Sequence, residues 1–437
     1  MPERAYVYEH GTLAVGEQGF TATQFDALVR YNERHGGDFF QVGHQRLYFK
    51  SFVGVLQVGT LAIEILPKTG KASTADRDKW QNALLQMLHQ SGLIEVEAAP
   101  EADLQLRRSP LIDLYLENFV TEVERLSHAG LTKKYRLCEG NLNKVKGRIL
   151  FSQHLRHNLF HQERMFTAHQ IYDRDNIYNR ILKRALDIIK YLAVRPSISS
   201  RAAALELAFE NVSAVRVTAE TFDRLKLDRN TQRYSRALQL ARLIILNYAP
   251  DLSGGSNHVV AILFDMNKLF ERFIYVELRR AESHYASRGL RISGQVSKRF
   301  WSTKTIRPDI VATIHNDTGA AQVILDTKWK VPKDGQPADD DLKQMYAYNV
   351  HFGGHRSVLV YPLAGVHQVG CNQSYAQSAS LPLGYQHDCF TFYVDLFDSK
   401  NNLRKDIGKQ LIDQAVFCDP TRLGAGGRAD NPAAAIA

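Results

Sequence analysis

The chain has 437 residues, of which 44% are hydrophobic and 23% are charged, so it can form more than one core and wholesale disorder is excluded. Basic residues outnumber acidic ones, and the formal charge of +9 with a pI of about 9.2 favours a polyanionic partner such as nucleic acid. The four cysteines, Cys138, Cys371, Cys389 and Cys418, have no CxxC spacing. The absence of CxxC pairs argues against a disulfide scaffold and a cysteine zinc site, and is typical of a protein from a reducing compartment.

The first 165 residues begin with strand-forming sequence. From residue 5 to 68, apolar and polar positions alternate between glycines, which predicts a small antiparallel, barrel-like unit. From about 75 to 126, apolar residues recur three and four positions apart, which predicts helices. We therefore expect residues 1–165 to form a β-rich and helical module.

A basic stretch ends this module and predicts an exposed hairpin or loop pair. Its six cations are Lys133, Lys134, Arg136, Lys144, Lys146 and Arg148. They are a candidate surface for a partner or for DNA, and a solvated basic loop is the alternative.

The second predicted domain spans residues 166–420. Helical periodicity dominates 166–250, the sequence SGGS breaks it at 253–256, and a further helix and a strand-rich region with one helix follow. The small residues of the tail, 421–437, predict disorder. The most apolar helix, 238–249, is too short to cross a membrane, and the N-terminus has no secretory signal pattern, so a cytoplasmic protein without a membrane partner is expected.

The most informative segment, residues 307–330, predicts a β-hairpin around the turn-forming residues 316–319. With the turn centred between Asp317 and Thr318, Asp309 lies directly opposite Asp326, and the two carboxylates share one face. Lys328 points to that face too, because side chains alternate along a strand. Two opposed carboxylates require a compensating cation, and a hard divalent ion, most simply Mg²⁺, completes a site suited to phosphodiester hydrolysis.

Two helices contribute further candidates. Glu271 is in line with Ile274 and Leu278 on the helix before the hairpin, and we nominate it as a third acidic metal ligand. Gln344 and Tyr348 are four apart on the helix after the hairpin, so they share a face and can position a phosphate or the lysine. Each has a structural alternative: Asp326 with Lys328 as a surface ion pair, Glu271 as a carboxylate on the helix surface, and the other two as packing residues.

These residues carry a resemblance. The order Glu271, Pro308–Asp309, Asp326–Thr327–Lys328 and Gln344–x–x–x–Tyr348 resembles the PD-(D/E)xK nuclease superfamily, in the branch with a QxxxY helix. The phrases FDMNKLFE, RPDIV and ILDTKWK, with VGVLQVGTLAIEILPK near the N-terminus, are similar to the McrC family, the nuclease subunits of modification-dependent McrBC restriction systems. The resemblance covers most of residues 5–400.

The resemblance implies an α/β (α+β) fold with a C-terminal PD-(D/E)xK domain, in which helices flank a mixed central sheet, after a small β-barrel-plus-helices module. It implies a Mg²⁺-dependent endonuclease that cuts double-stranded DNA carrying modified cytosine. The partner would be an McrB-like AAA+ ring that binds GTP. The ring would contact the N-terminal half of this chain, and this chain would stimulate its GTPase. The chain has no GxxxxGK[ST] phosphate loop, so it is not expected to bind GTP itself.

Two other functions remain open from the sequence. One is a stand-alone Mg²⁺-dependent DNase or repair nuclease, which would need no GTP. The other is a non-catalytic DNA-binding adaptor that regulates an AAA+ motor and keeps the nuclease fold as a scaffold. The presence of Asp309, Asp326 and Lys328 together favours an enzyme over the adaptor.

Overall fold

The computed structural model describes residues 3–68, 76–93, 111–161, 163–192, 195–250, 257–316, 319–332, 335–363, 372–375 and 387–417. The predicted disordered tail and the SGGS break lie outside these ranges. Within them, no helix combines the length and apolar character that crossing a membrane requires.

The first part of the chain has strands followed by helices, as the sequence predicts, but a helix at Ala22–Arg34 interrupts the segment predicted to contain only strands. The elements are β1 (Glu3–Tyr8), β2 (Thr12–Ala14), α1 (Ala22–Arg34), β3 (Phe40–Gly43), β4 (Arg46–Phe49), β5 (Phe52–Val58), β6 (Leu61–Leu66), α2 (Arg77–Gln90) and α3 (Leu111–His128). A capping box begins α1, because the side chains of Thr21 and Gln24 each bind the other's backbone N–H.

The middle of the chain begins with strands, including residues 165–173 where the sequence predicts helix from residue 166, and continues mainly as helices. Its elements are β7 (Lys134–Leu142), β8 (Arg148–Ile149), α4 (Phe151–Asn158), β9 (Met165–Asp173), α5 (Ile177–Ile189), α6 (Pro196–Leu205), α7 (Ala219–Asp223), α8 (Ser235–Leu246), β10 (Tyr248–Ala249) and β11 (Val259–Asp265). The apolar segment expected to be a core helix is α8, and Ala237, Ala241 and Ile244 on it are buried.

The last part is an α/β region. Its elements are α9 (Met266–Glu282), β12 (Leu290–Gly294), β13 (Lys298–Trp301), β14 (Lys304–Ile306), β15 (Ile310–Asn316), β16 (Gly319–Thr327), α10 (Asp339–Phe352), β17 (Arg356–Pro362), β18 (Asn372–Ser374), β19 (Asp388–Val394) and α11 (Ile407–Leu411). Three aspartates in the first turn of α10 stabilise its N-terminus, and the left-handed Gly353 ends the helix after its last turn.

The N-terminal strands form open sheets, so the expected barrel is wrong. A five-stranded sheet has the order β1-β6-β5-β11-β10, and a separate three-stranded sheet has the order β2-β4-β3. The first sheet is mixed, because β1 runs parallel to β6 while β5 is antiparallel to both β6 and β11. The pairing of β5 with β11 crosses the predicted boundary near residue 165, so both predicted domains share this sheet.

A six-stranded mixed sheet, which we call the site sheet, has the order β12-β15-β16-β17-β19-β18. Strands β12, β15 and β16 are antiparallel neighbours, whereas β16, β17 and β19 run parallel. Ile324 of β16 packs with Met345 of α10, while Leu325 belongs to the main core with Phe270 of α9. Because side chains alternate along a strand, α9 and α10 cover opposite faces. This confirms the predicted mixed sheet flanked by helices.

The basic stretch forms part of a small sheet with helix α4, which we call the arm (residues 133–173). Strand β7 pairs with β9 along its whole length, and β8 pairs with the same strand. The hairpin predicted within residues 131–149 is therefore wrong. Strands β7 and β8 both pair with β9 rather than with each other.

Candidate active site

The hairpin of β15 and β16 has the predicted register. Ile310 lies opposite Leu325, and Val311 lies opposite Ile324. Asp309 directly precedes β15, so the same register places it opposite Asp326. The turn residues 317 and 318 are outside the described part. Asp326 pairs with Leu359 of β17 on its other side, so it lies inside the sheet, and only 2% of its surface is exposed.

The carboxylate of Asp309 is fixed by the opposite strand. Its Oδ2 accepts hydrogen bonds from the backbone N–H of Thr327 at 2.8 Å and from the hydroxyl of Thr327 at 2.9 Å. Both donors come from one residue, so the orientation of this carboxylate depends on the hairpin register. Asp309 is half-buried, with one face toward solvent.

Lys328 lies beside Asp326, as the strand period predicts. Its Nζ is 2.7 Å from Oδ2 of Asp326, and it donates to Oε1 of Gln344 at 2.9 Å. Asp341 of α10 is 3.8 Å from the same amine. The lysine thus contacts a carboxylate of the sheet and an amide of the helix that covers it.

Burial controls the electrostatics of this pair. Burial and then the charge of Asp309 raise the pKa of Asp326 to about 7, while Lys328 acts in the opposite direction. Burial by itself lowers the pKa of Lys328, but the charge and hydrogen bond of Asp326, together with the charges of Asp341 and Asp309, outweigh it and the pKa is raised. Oδ2 of Asp326 has the amine of Lys328, at 2.7 Å, as its partner. A buried charge pair beside a second carboxylate, Asp309, is costly unless a further cation compensates it.

Gln344 and Tyr348 form one hydrogen-bonded chain on α10. The side-chain amide of Gln344 donates to the hydroxyl of Tyr348 at 2.8 Å, and that hydroxyl donates to the carbonyl of Arg307 at 3.1 Å. This series of hydrogen bonds therefore runs from the start of the hairpin, through the helix, to the amine of Lys328. This brings together both predicted helix residues and the lysine.

Glu271 reaches the site from the other face of the sheet. Its carboxylate accepts from the side-chain amide of Gln295 at 2.7 Å, and the backbone N–H of Gln295 donates to the carbonyl of Asp309 at 2.8 Å. Burial raises the pKa of Glu271, the hydrogen bond from Gln295 opposes this, and the charge of Asp309 adds to it. Glu271 is thus an electrostatic neighbour of Asp309, connected through Gln295.

The predicted ligand set is not assembled as a triad. The described part of the chain contains no group of three or more His, Cys, Asp or Glu side chains arranged to hold a metal ion. The pair Asp309 and Asp326 nevertheless offers hard oxygen donors that face each other across one hairpin. Mg²⁺ keeps several waters and often uses only one or two carboxylates, so this donor pair fits it.

The sequence analysis missed three residues that contact the site. Thr327 orients Asp309, Gln295 connects Glu271 to the hairpin, and Asp341 accepts from Lys330 at 2.6 Å beside Lys328. Only Asp341 had a usable signal: it is three residues before Gln344 and so shares that helix face. The contacts of Thr327 and Gln295 depend on tertiary structure.

The six basic candidates of the arm differ in their surroundings. Lys134 pairs with Asp228 at 2.9 Å and Arg136 with Asp173 at 2.9 Å, so both charges are compensated within the chain. The other four, Lys133, Lys144, Lys146 and Arg148, are exposed. The sequence analysis missed the apolar side chains beside them. Eight of the seventeen large apolar side chains that are exposed in the described part lie on the arm: Tyr135, Leu137, Val145, Phe151, Leu155, Leu159, Phe160 and Tyr172.

The comparisons with known proteins agree on one family. A family model described as "McrBC 5-methylcytosine restriction system component" matches residues 47–362. The Type IV methyl-directed restriction enzyme EcoKMcrBC of Escherichia coli (strain K12) is 26% identical over 164 residues, which are 36% of this chain and 47% of that protein. The chain therefore matches about half the length of this curated relative.

The fold is also similar to a solved structure from Thermococcus gammatolerans, described as a refined half-complex from a tetradecameric assembly of McrB AAA+ hexamers with bound McrC. The TM-score is 0.64 at 21% identity, over 94% of this chain and 99% of that chain. A cryo-EM structure of the McrBC complex of the same organism has a TM-score of 0.47 at 22% identity, over 63% of this chain and 87% of that chain. The first similarity shows a shared fold.

Proposed function

The chain belongs to the family of McrBC 5-methylcytosine restriction system components, and from this premise we propose that it is the DNA-cutting subunit of such a system. It would hydrolyse phosphodiester bonds in double-stranded DNA that carries modified cytosine, with Mg²⁺ as its metal. Its partner would be an McrB-like AAA+ ring that binds GTP and whose GTPase this chain stimulates.

The observation that carries the proposal is the arrangement of Asp309, Asp326 and Lys328. Two carboxylates meet across one hairpin, and an amine lies 2.7 Å from the buried one. The charge of Asp309 adds to burial in raising the pKa of Asp326, so two carboxylates lie beside one amine, an excess of negative charge that a bound cation would compensate. Buried groups with a perturbed pKa beside a specific charge are typical of functional sites.

Asp309 and Asp326 are the residues that would hold Mg²⁺. Glu271, which is connected to Asp309 through Gln295, would add negative charge to the site. When bound, the ion would polarise a phosphoryl oxygen and make a bound water more acidic. The amine of Lys328 would hold the attacking water by donating a hydrogen bond to it. Gln344 keeps that amine at 2.9 Å, and Tyr348 keeps Gln344 in place, so both act as positioning residues.

The arm is the surface that we propose for the AAA+ partner. Its exposed apolar side chains and four exposed cations lie on one small sheet and helix, a combination that monomeric proteins rarely leave uncovered. A structure with a similar fold is described as McrB AAA+ hexamers with bound McrC, which supports such a ring as the partner.

This surface can be tested with one substitution and a matched control. Leu137 is 66% exposed on the arm, and Leu207 is 81% exposed outside it. Leu137→Asp should weaken co-migration with the partner ring and the stimulation of its GTPase by at least about tenfold, because a buried carboxylate is costly at an interface. Leu207→Asp should change neither quantity. Equal behaviour of the two variants would contradict the assignment of the arm.

The proposed activity is tested by cleavage of supercoiled plasmid. Methylated and unmethylated plasmid are incubated with Mg²⁺, with and without the partner and GTP, and with EDTA as the control. Cleavage of methylated plasmid only, and only with partner and GTP, supports the proposal. Cleavage by the chain alone would instead favour a stand-alone nuclease, and partner binding without any cleavage would favour the adaptor.

A further inference from the structure

A two-stranded hairpin formed by β13 and β14 (residues 298–306) projects beside the site and exposes two aromatic side chains. Phe300 is 49% exposed and Trp301 is 73% exposed. The chain has three tryptophans, and the other two, Trp80 and Trp329, are buried in the main core. An exposed tryptophan contributes nothing to that core, so its position points to a contact outside the chain.

The hairpin is also uniformly positive. The segment from Gln295 to Arg307 contains no acidic residue and four basic ones, Lys298, Arg299, Lys304 and Arg307. Arg299 and Lys304 are exposed, and neither forms an ion pair with a carboxylate in the described part of the chain. Uncompensated cations interleaved with aromatic rings fit a polyanion better than a protein surface of mixed charge.

Both ends of the hairpin are attached to residues of the site. At one end, the backbone N–H of Gln295 donates to the carbonyl of Asp309 at 2.8 Å. At the other end, the carbonyl of Arg307 accepts from the hydroxyl of Tyr348 at 3.1 Å. Any phosphodiester held at Asp309 therefore lies next to the base of the hairpin.

The hairpin also rests on the last turns of α10, the helix that carries Gln344 and Tyr348. Lys298 lies over the ring of Phe352, with Nζ 4.3 Å from its centroid, and donates to the carbonyl of His351 at 3.4 Å. The ring of Phe300 meets that of His351 edge to face at 5.1 Å. These contacts fix the direction of the hairpin relative to the site.

We propose that this hairpin binds the DNA duplex beside the bond to be cut, an inference that rests on the proposed function. A strand advances about 3.3 Å per residue, so from Arg307 to the turn at Thr303 the hairpin reaches roughly 13 Å, or about four base pairs of duplex. Arg299 and Lys304 contact phosphates, and Trp301 packs against the groove between them. The occupant is duplex DNA because the hairpin adjoins a centre suited to a phosphodiester.

The phosphate contacts are tested by fluorescence anisotropy with a duplex of about 30 base pairs, in EDTA so that nothing is cut. Each lost phosphate contact lowers the slope of log affinity against log salt by about 0.9, so Arg299→Ala with Lys304→Ala should lower it by about 2. The matched control is Arg46→Ala with Lys405→Ala, which removes the same charge at two exposed positions outside the hairpin. The control should keep the slope of the parent protein.

The aromatic contact is tested by acrylamide quenching of tryptophan fluorescence. The difference between the parent and Trp301→Phe isolates Trp301, because Trp80 and Trp329 are buried in both. Adding the duplex should reduce the quenching of Trp301 at least about twofold and leave the signal of Trp301→Phe unchanged. A parallel titration with the partner ring alone should give no protection.

The outcomes separate this inference from the proposed function. Unchanged quenching with bound DNA, an unchanged salt slope, or protection by the partner ring instead of DNA would each overturn the hairpin contact. A chain that binds no duplex in any form would overturn it as well. The nuclease assignment is decided elsewhere, by whether substitutions at Asp309 and Asp326 abolish cleavage, so either conclusion can fail while the other stands.

Discussion

Two buried aspartates, one in the site sheet and one at the base of the arm, have different hydrogen-bond partners and opposite pKa shifts. Asp326 is 2% exposed and Asp175 is 5% exposed. Asp175 accepts two hydrogen bonds from Arg180, at 2.7 and 2.9 Å, and two from Ser213, at 2.9 and 2.8 Å. The hydrogen bonds from Arg180 lower the pKa of Asp175, whereas burial raises that of Asp326.

The difference separates a carboxylate whose partners all lie within the chain from one that we propose is functional. Both oxygens of Asp175 are satisfied, by Arg180 of α5 and by Ser213 in the segment before α7. Oδ2 of Asp326 has the amine of Lys328 at 2.7 Å, and the charge of Asp309 adds to burial in raising the pKa of Asp326. A buried carboxylate beside a second carboxylate costs stability, and such a cost is typical of a site that completes its contacts with a ligand.

The largest effect is expected from Asp309→Asn. The neutral amide keeps the shape of the side chain but removes half of the negative charge that would hold the metal, so cleavage should fall at least about 100-fold. The rate of plasmid cleavage in the complete reaction measures this. Asp339→Asn, which neutralises an exposed carboxylate on α10, is the control and should cut like the parent. A parent-like rate for Asp309→Asn would remove this residue from the site.

The next effect concerns stability at the other aspartate. Asp175→Asn breaks a buried ion pair and should lower the free energy of unfolding by about 3 kcal/mol, because Arg180 loses its charged partner. Cleavage per folded molecule should stay within about twofold of the parent. Urea denaturation provides the measurement, and Asp173→Asn, at a more exposed carboxylate, should cost less than about 1 kcal/mol. Equal losses would show that burial does not distinguish the two.

Smaller effects are expected from the positioning residues of α10. Gln344→Ala frees the amine of Lys328 from its amide partner and should lower the maximal cleavage rate about tenfold, with DNA affinity unchanged. Tyr348→Phe removes only the hydroxyl that holds Gln344 and should cost about threefold. Single-turnover rates combined with binding measurements separate the two quantities. A change in affinity instead of rate would indicate DNA contact rather than positioning.

The smallest effect is a pH dependence at Asp175. Because its pKa is lowered in the folded state, its contribution to stability is complete above the unfolded pKa of about 3.9 and is lost as pH falls below it. The stability difference between the parent and Asp175→Asn should therefore be largest near neutral pH and become smaller below pH 4. Urea denaturation at several pH values measures it. A difference that grows on acidification would contradict the sign of the shift.

The site was largely predictable because its geometry is local. The turn residues near 316–319 and the strand period place Asp309, Asp326 and Lys328 on one face, and the helical period aligns Gln344 with Tyr348. The clamp of Thr327 on Asp309 and the link of Gln295 to Glu271 depend on how strands and helices pack, which no local pattern encodes.

The fold was predictable in its class and less so in its connections. Alternation in residues 5–68 predicts strands, but it does not predict that β5 pairs with β11, about 200 positions later. Because of this pairing the strands form an open sheet, whereas the local sequence predicts a barrel. The partner of β7 is likewise a strand beyond the basic stretch. Pairings between distant segments are set by packing of the whole chain, so local patterns do not reveal them.

The most direct test of the central claim is the cleavage rate of Asp326→Asn on methylated plasmid with Mg²⁺, partner and GTP, alongside its urea denaturation. We expect cleavage to fall at least about 100-fold while the free energy of unfolding falls by less than about 1 kcal/mol, because the amide relieves a buried charge. Cleavage at the rate of the parent protein would contradict the assignment of Asp326 to the catalytic centre.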